Sequence, residues 1–316
     1  MTAGSGAAAL LVALALDAAF GEPPESVHPV VWMGRGMGAL VPPDPPGAGV
    51  ATMARGALAA LGGAGVSAAA AGSVARAARP APAVVRAAVE GVELWPLLAL
   101  RALLRAAQRV GDALQDGDLA RARGELRWLV GRDRDGLDPP HLASAAVESV
   151  AENLSDSVIA PLLYARVAGP AGAALHRFAN TADAMVGYRD RHRLGGRVAA
   201  RLDDLLGLVP ARATGLLIAC AAPAGGGSPR GALSGMLRDG GATTSPNAGR
   251  PMAAMAGALG VRLEKPGHHL LNPGGRAPAA ADIGRAVRVA RAATVLAVGS
   301  LAISPAVVRR LARHAA

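Results

Sequence analysis

An all-α fold embedded in a membrane is the class this sequence predicts, on three observations. Charged residues make up only 18% of the 316-residue chain and mean hydropathy is +0.31, too apolar for an ordinary soluble domain. The apolar residues gather into as many as six segments, about 6–20, 50–74, 83–104, 157–176, 205–225 and 290–308, several near the roughly 20 residues that a spanning helix needs. The formal net charge is +10. It comes almost wholly from arginines between those segments, Lys265 being the sole lysine, as the positive-inside rule describes.

The first segment is apolar from Gly6 to Leu16, and the first basic residue is Arg35. A cleaved secretory signal needs a positive stretch ahead of its apolar core, so none is expected. The second segment is the longest and is built from Ala, Gly and Ser, which suits close helix packing. Asp17 in the first and Glu90 and Glu93 in the third are costly at membrane depth, and place those residues near an interface or inside protein. The fourth holds Pro161, Arg166 and Pro170, which disqualifies it as a plain lipid-facing helix and suggests a re-entrant segment.

Four polar loops alternate with the apolar segments in a single domain over 1–316: about 21–49, 108–156, 177–204 and 226–289. The second reads as amphipathic soluble helix. The fourth holds Gly/Pro turns around one helical pattern, "MAAMAGALGV". Arg35 places the first loop inside. Strict alternation then puts 177–204 outside, whereas its own arginines argue for inside. Aromatics are only 2% and the arginines are scattered, so nucleic-acid binding is excluded. The single Cys220 allows no internal disulfide. There is no P-loop lysine, no HExxH helix and no GxSxG elbow.

Several stretches have the composition of a site. In "ESVAENLSDSVIAPLLY", Glu148, Glu152 and Asp156 recur every four residues, which on a helix puts three carboxylates on one face. Such carboxylates repel unless a cation or an arginine neutralises them, and Mg²⁺ takes one or two carboxylates plus substrate phosphates. Asn153 lies alongside. "VGRDRDGLD" crowds Arg132 among aspartates at a Gly turn, able to hold a phosphate and a cation. "NTADAMVGYRDRHR" and "ARLDDLLGLVPAR" carry Asn180, Asp183, Arg189, Arg193, Arg201, Asp203 and Asp204. A positive-inside flank accounts for the arginines there but not for the aspartates. "GGATTSPNAGRPMAAMAGALG" brings Ser245 and Asn247 to a helix start with Pro251 in its first turn, where N–H groups bind anions. His28 precedes Pro29 and is held extended. The tandem His268-His269 reads as exposed polarity in a Gly/Pro loop.

In order, these motifs resemble the integral-membrane cobinamide-phosphate synthases of the CbiB/CobD type, from "LDAAFGEPPESVHPVVWMG" through "GRDRDGLD" to "SPNAGRPMAAMAGALGV". The resemblance covers nearly the whole chain. The family reads Asp-Gly where Asp156-Ser157 stands, Phe where Leu163 stands, and an acid where Met252 stands, so Met252 is not counted as a metal position. Its "NT-x-D-S-M-V-G-Y-K-N" run carries Ala184, Arg189 and Asp190 here.

The resemblance implies a cobalamin-pathway ligase of the bacterial inner membrane with its motif loops cytosolic. It would join adenosylcobyric acid, a corrinoid, to aminopropanol or its phosphate at the expense of ATP. The chemistry then expected is Mg²⁺ held among Glu148, Glu152, Asp156, Asp183, Asp203 and Asp204. Phosphate and carboxylate binding would fall to Arg132, Arg189, Arg193 and Arg201, and substrate orientation to Asn153, Asn180, Ser245 and Asn247. His28 would take a proton from the attacking ammonium. Other late cobalamin-pathway membrane enzymes are the expected partners. The rival class is a transporter or regulator-like membrane protein of related architecture. A transporter would concentrate its polar residues within spans and show a half-to-half repeat, and no such repeat is present.

Overall fold

The computed structural model describes residues 3–131, 136–187 and 192–302. The fold is helical, with one small β-hairpin. The helices are α1 (Ala3–Phe20), α2 (Pro29–Leu40), α3 (Val50–Ala77), α4 (Ala83–Leu94), α5 (Leu100–Gln115), α6 (Leu119–Leu126), α7 (Pro139–Leu154), α8 (Ala160–Val186), α9 (Arg197–Ala221), α10 (Pro229–Asp239), α11 (Gly249–Leu259) and α12 (Ala280–Ala302). Strands β1 (Leu263–Lys265) and β2 (His269–Leu271) pair antiparallel. Among the described residues three stretches are long and apolar enough to cross a membrane: Val50–Ala77, Pro139–Val186 and Arg197–Gly225. Only 17% of the apolar part of Val50–Ala77 is buried in protein, against 61% for Pro139–Val186. The first therefore offers its surface to lipid, while the second is mostly covered by protein.

The contacts gather the chain into two compact units, each discontinuous in sequence. The first is Met1–Ala99, Ala160–Gly207 and Val298–Ala316; the second is Leu100–Ile159 and Leu208–Ala297.

In the first unit α3 packs on α8, and α1 on α4. The core joins Met37, Val41, Ala59, Ala60, Ala64, Phe178, Ala182, Val186 and Ala199. Small residues on α3 make the α3–α8 contact possible. A Cβ at Gly63 would collide with the Phe178 ring, and one at Gly56 with the Gly195 carbonyl. The sequence reading of α3 as a close-packing helix holds on this face.

α8 is not straight. Gly169 adopts φ 68°, ψ −164°, a region essentially restricted to glycine, and Pro170 follows. The chain turns sharply enough that the Tyr164 ring stacks on His176 with centroids 5.2 Å apart. A straight helix would separate residues twelve apart by about 18 Å. The prolines of the fourth apolar segment thus signalled a real corner. The expected third apolar segment, 83–104, does not run as one helix. It breaks at Trp95–Leu97, a short 3₁₀ turn, and resumes as α5, because Pro96 cannot continue the α-helical ladder.

The second unit is built around α7, buried from Leu142 through Ala151. A helix covered on every side is a core helix. The polar face of α5 carries Arg101, Arg105, Arg109 and Asp112, while Leu103, Leu104, Ala107 and Val110 are buried. This amphipathic helix begins inside the expected apolar segment 83–104 and only its last turns reach the loop where one was expected. The hairpin packs on α7 through β1, and Leu263 and Leu271, opposite each other in the register, are both fully buried. The 226–289 loop was expected to hold one helical pattern; it holds α10, α11 and this hairpin.

Candidate functional site

Two polar clusters result, one in each unit. In the first unit, the arm of α8 beyond Gly169 and the start of α9 carry an array of amides, carboxylates and guanidiniums. Asn180 Nδ2 donates to Asp203 Oδ1 at 3.3 Å. Arg177, only 9% exposed, approaches Asn180 Oδ1 through Nη1 at 3.5 Å. Asp183 lies within electrostatic reach of Asp204, and Arg201 Nη1 stands 3.9 Å from Asp204. Carboxylate and amide oxygens are the donors a hard divalent cation prefers, but among the described residues Asp183, Asp203 and Asp204 do not gather into a three-ligand site.

His28 caps α2, its Nδ1 accepting from the Val30 N–H at 3.2 Å. In the neutral ring the proton therefore sits on Nε2, which faces Glu22 at 4.0 Å. Burial, and then the Arg177 charge, hold the imidazole below its usual pKa. Burial raises Glu22, with Arg177 opposing. As placed, this histidine is a cap and an N–H donor, whereas a base would need a free lone pair.

The loop before α9 is fixed by Asp44, whose carboxylate accepts from the Leu194 N–H at 2.7 Å and the Gly195 N–H at 3.1 Å. Arg193 is exposed. Arg132 and Arg189 lie outside the described residues.

In the second unit, Glu148 is buried. It accepts from the Ser144 hydroxyl at 2.9 Å and faces His269 Nε2 at 3.5 Å. Glu152, Asn153 and Asp156 are half-buried. The expected three-carboxylate face is not assembled. Ser155–Ile159 forms a π-helical turn, wider than the 3.6-residue turn on which the four-residue spacing relied, and Asp156 falls within it. Among the described residues no three His, Cys, Asp or Glu side chains gather as metal ligands. Asn153 Nδ2 turns back on Ser149, 3.0 Å from its carbonyl and 3.1 Å from its hydroxyl.

Ser245 Oγ accepts from the Asn247 and Ala248 N–H groups. Asn247 Oδ1 stands 3.4 Å from Arg212 Nη1. At the other end of α7, Asp138 caps the helix, accepting from the His141 N–H at 2.9 Å, and that bond holds its carboxyl below the usual range.

Arg177, Glu22, Arg212 and Ser144 were not picked out as site residues from the sequence; His269 was read with His268 as exposed polarity, whereas its side chain is only 9% exposed because it lies on the inward side of β2. Arg177 lies three residues before Asn180, so helical spacing carried a signal for it. His269 carried a weaker one, since alternation along a short strand sets it on the same side as buried Leu271.

Buried apolar helices, a bend at Gly169–Pro170 and two clusters of ionisable groups define a polytopic membrane protein with a chemical task. The comparisons narrow the class. A model of the family described as CobD/Cbib protein matches residues 10–295, and the chain belongs to that family, which serves cobalamin biosynthesis. A relative from Geobacter metallireducens is 45% identical over 267 residues, 81% of this chain and 80% of its own. One from Rhodobacter capsulatus is 39% identical over 318 residues, 94% and 98% of the two chains. One from Mycobacterium tuberculosis is 39% identical over 305 residues, 92% and 95%. Each is named cobalamin biosynthesis protein CobD. No solved structure matches.

Proposed function

We propose that this chain is an ATP-dependent amide-forming ligase. It joins the side-chain carboxylate of adenosylcobyric acid to (R)-1-aminopropan-2-ol O-phosphate, or to the free aminopropanol, and yields adenosylcobinamide phosphate. The observation that carries the reading is the first-unit array, in which Arg177, Asn180, Asp203, Asp183, Asp204 and Arg201 alternate cationic, amide and anionic groups on α8 and α9. That combination suits a nucleotide polyphosphate with its divalent cation.

A carboxylate is a poor electrophile at neutral pH, and its activation as an acyl phosphate requires ATP. Bound Mg²⁺ would neutralise charge across the phosphates, drawing one or two carboxylates from Asp183, Asp203 and Asp204 beside the phosphate oxygens. Arg177, Arg193 and Arg201, together with Arg132 and Arg189, would hold phosphate and carboxylate oxygens, and Asn180 would orient Asp203. Glu148, Glu152 and Asp156 stand as second-unit acids for the amine half of the reaction, with Asn153. Ser245 and Asn247 shape the turn before α11. ATP supply places the motif loops in the cytosol, with the helices in the inner membrane.

The test uses the full chain in nanodiscs with both substrates, ATP and Mg²⁺, and product detected by mass spectrometry. Adenosylcobinamide phosphate appearing only with ATP and Mg²⁺ supports the reading; its absence overturns it. Net flux of corrinoid across proteoliposomes without chemistry would favour a transporter.

A further inference from the structure

The β1–β2 hairpin brings a group to Glu148 that the amide-ligase reading does not use. The strands are three residues each and pair Leu263 with Leu271 and Lys265 with His269. Side chains alternate across a strand, so buried Leu271 and Leu263 fix His269 on the inward side, while His268 in the turn is exposed. The His269 side chain is only 9% exposed, and its Nε2 has no hydrogen-bond partner. It stands 3.5 Å from Glu148 Oε2, within ion-pair distance when the ring is protonated.

The other oxygen of Glu148 is already fixed. Ser144 donates to Oε1 at 2.9 Å and itself accepts from the Glu264 backbone N–H at 2.7 Å. The hairpin backbone thus orients the hydroxyl that orients the carboxylate. Next to this pair, His141 bonds Asp138 at 2.6 Å and faces Glu264 Oε2 at 3.9 Å, and Lys265 lies across from His269.

An orphaned buried donor costs about 1–3 kcal/mol. A histidine at this spot is therefore anomalous as packing alone, because an apolar residue would fill it without that cost. Its position is explained if it holds Glu148 by its second oxygen.

We propose that His269 is a positioning residue for Glu148. Through Ser144, which bonds one carboxylate oxygen, and His269, which stands 3.5 Å from the other, the hairpin sets the direction in which Glu148 addresses substrate. The inference rests on the amide-ligase reading and on Glu148 working in it.

Steady-state rates of the full chain in nanodiscs test it. His269→Ala should lower kcat by about ten-fold while KM for ATP and for the amine stays within about two-fold, the pattern of a lost transition-state interaction. His269→Gln, which restores an N–H at similar reach, should recover most of the rate, and His268→Ala should match wild type. Glu148→Gln combined with His269→Ala should be no slower than Glu148→Gln alone, since a residue acting through Glu148 has nothing further to lose. Losses that multiply in the double variant overturn the proposal. Should His269→Ala not fold, judged by thermal midpoint, His269→Gln against the shorter His269→Asn decides: a faster Gln supports the clamp and equal rates overturn it. A silent wild type overturns the ligase reading itself. An active wild type with an unimpaired His269→Ala overturns only the role of His269.

Discussion

At the scale of single residues, burial sets the ionisation behaviour outside the spans. His28 in the fold holds its proton less tightly than in the unfolded chain, whose value is 6.5. The unfolded state therefore binds more protons as pH falls through that range, and the fold loses stability towards acid. The thermal midpoint should fall between pH 7 and pH 5, and His28→Asn should flatten that fall. Asparagine keeps the α2 cap but does not titrate. Glu22 works in the opposite sense. Its raised pKa means the folded state takes up its proton first, so the fold gains stability as pH drops through the folded Glu22 value, the gain being complete below 4.5. Glu22→Gln should therefore steepen the acid loss.

Asp282 shows the opposite pattern. Only 1% exposed, it accepts from Arg276 at 2.7 and 2.6 Å, from Arg285 at 2.9 Å and from the Ala279 N–H at 2.9 Å. Burial acts to raise its pKa, but these bonds together outweigh that and leave it lowered. Its stabilisation is present above the usual Asp range and lost as pH falls through the folded value. Asp282→Asn should cost about 2–4 kcal/mol, because two guanidiniums lose their counter-charge, and the shift should shrink on acidification.

At the scale of elements, α3 and α8 depend on what their small residues leave out. Gly56→Ala drives a methyl into the Gly195 backbone, whereas Gly63→Ala meets the Phe178 side chain. Backbone yields less readily than a ring, so Gly56→Ala should lower the thermal midpoint more. Phe178→Leu should rescue Gly63→Ala but not Gly56→Ala. Gly169→Ala should cost about 1–3 kcal/mol through its backbone conformation alone. Pro161 and Pro170 announced a break in this segment in the sequence, while Gly169, which makes the corner, was not picked out. The π-helical turn at Ser155–Ile159 had no such marker, because only packing around α7 decides where a helix accepts an extra residue. That is why a four-residue spacing of acids, sound for an α-helix, did not become one acidic face.

At the scale of the molecule, α3 has 28 residues and is about 42 Å long, enough for a hydrocarbon core of about 30 Å. Its first turns lie beside Gly195, and Asp44 just before it holds Leu194 and Gly195. The arginine-rich stretch before α9 thus shares an end of α3 with the 21–49 loop. This favours the arginines over strict alternation in placing 177–204 inside. Thiol labelling of Ala48→Cys and Met185→Cys should report one side of the membrane and Ala81→Cys the other.

The sequence by itself determined the membrane-embedded helical class, the small-residue face of α3, the break that prolines put into the fourth apolar segment and the family. Each follows from local composition, residue order or the backbone limits of glycine and proline. The sequence named the motif acids but not their partners. Only the tertiary structure decided that Glu148 meets Ser144 and His269, that Asn180 meets Asp203, and that His28 spends its lone pair on a helix cap. The His28 cap and the Ser144 bond are local to their helices, but Glu148–His269 and Asn180–Asp203 join residues distant in sequence that only packing brings together.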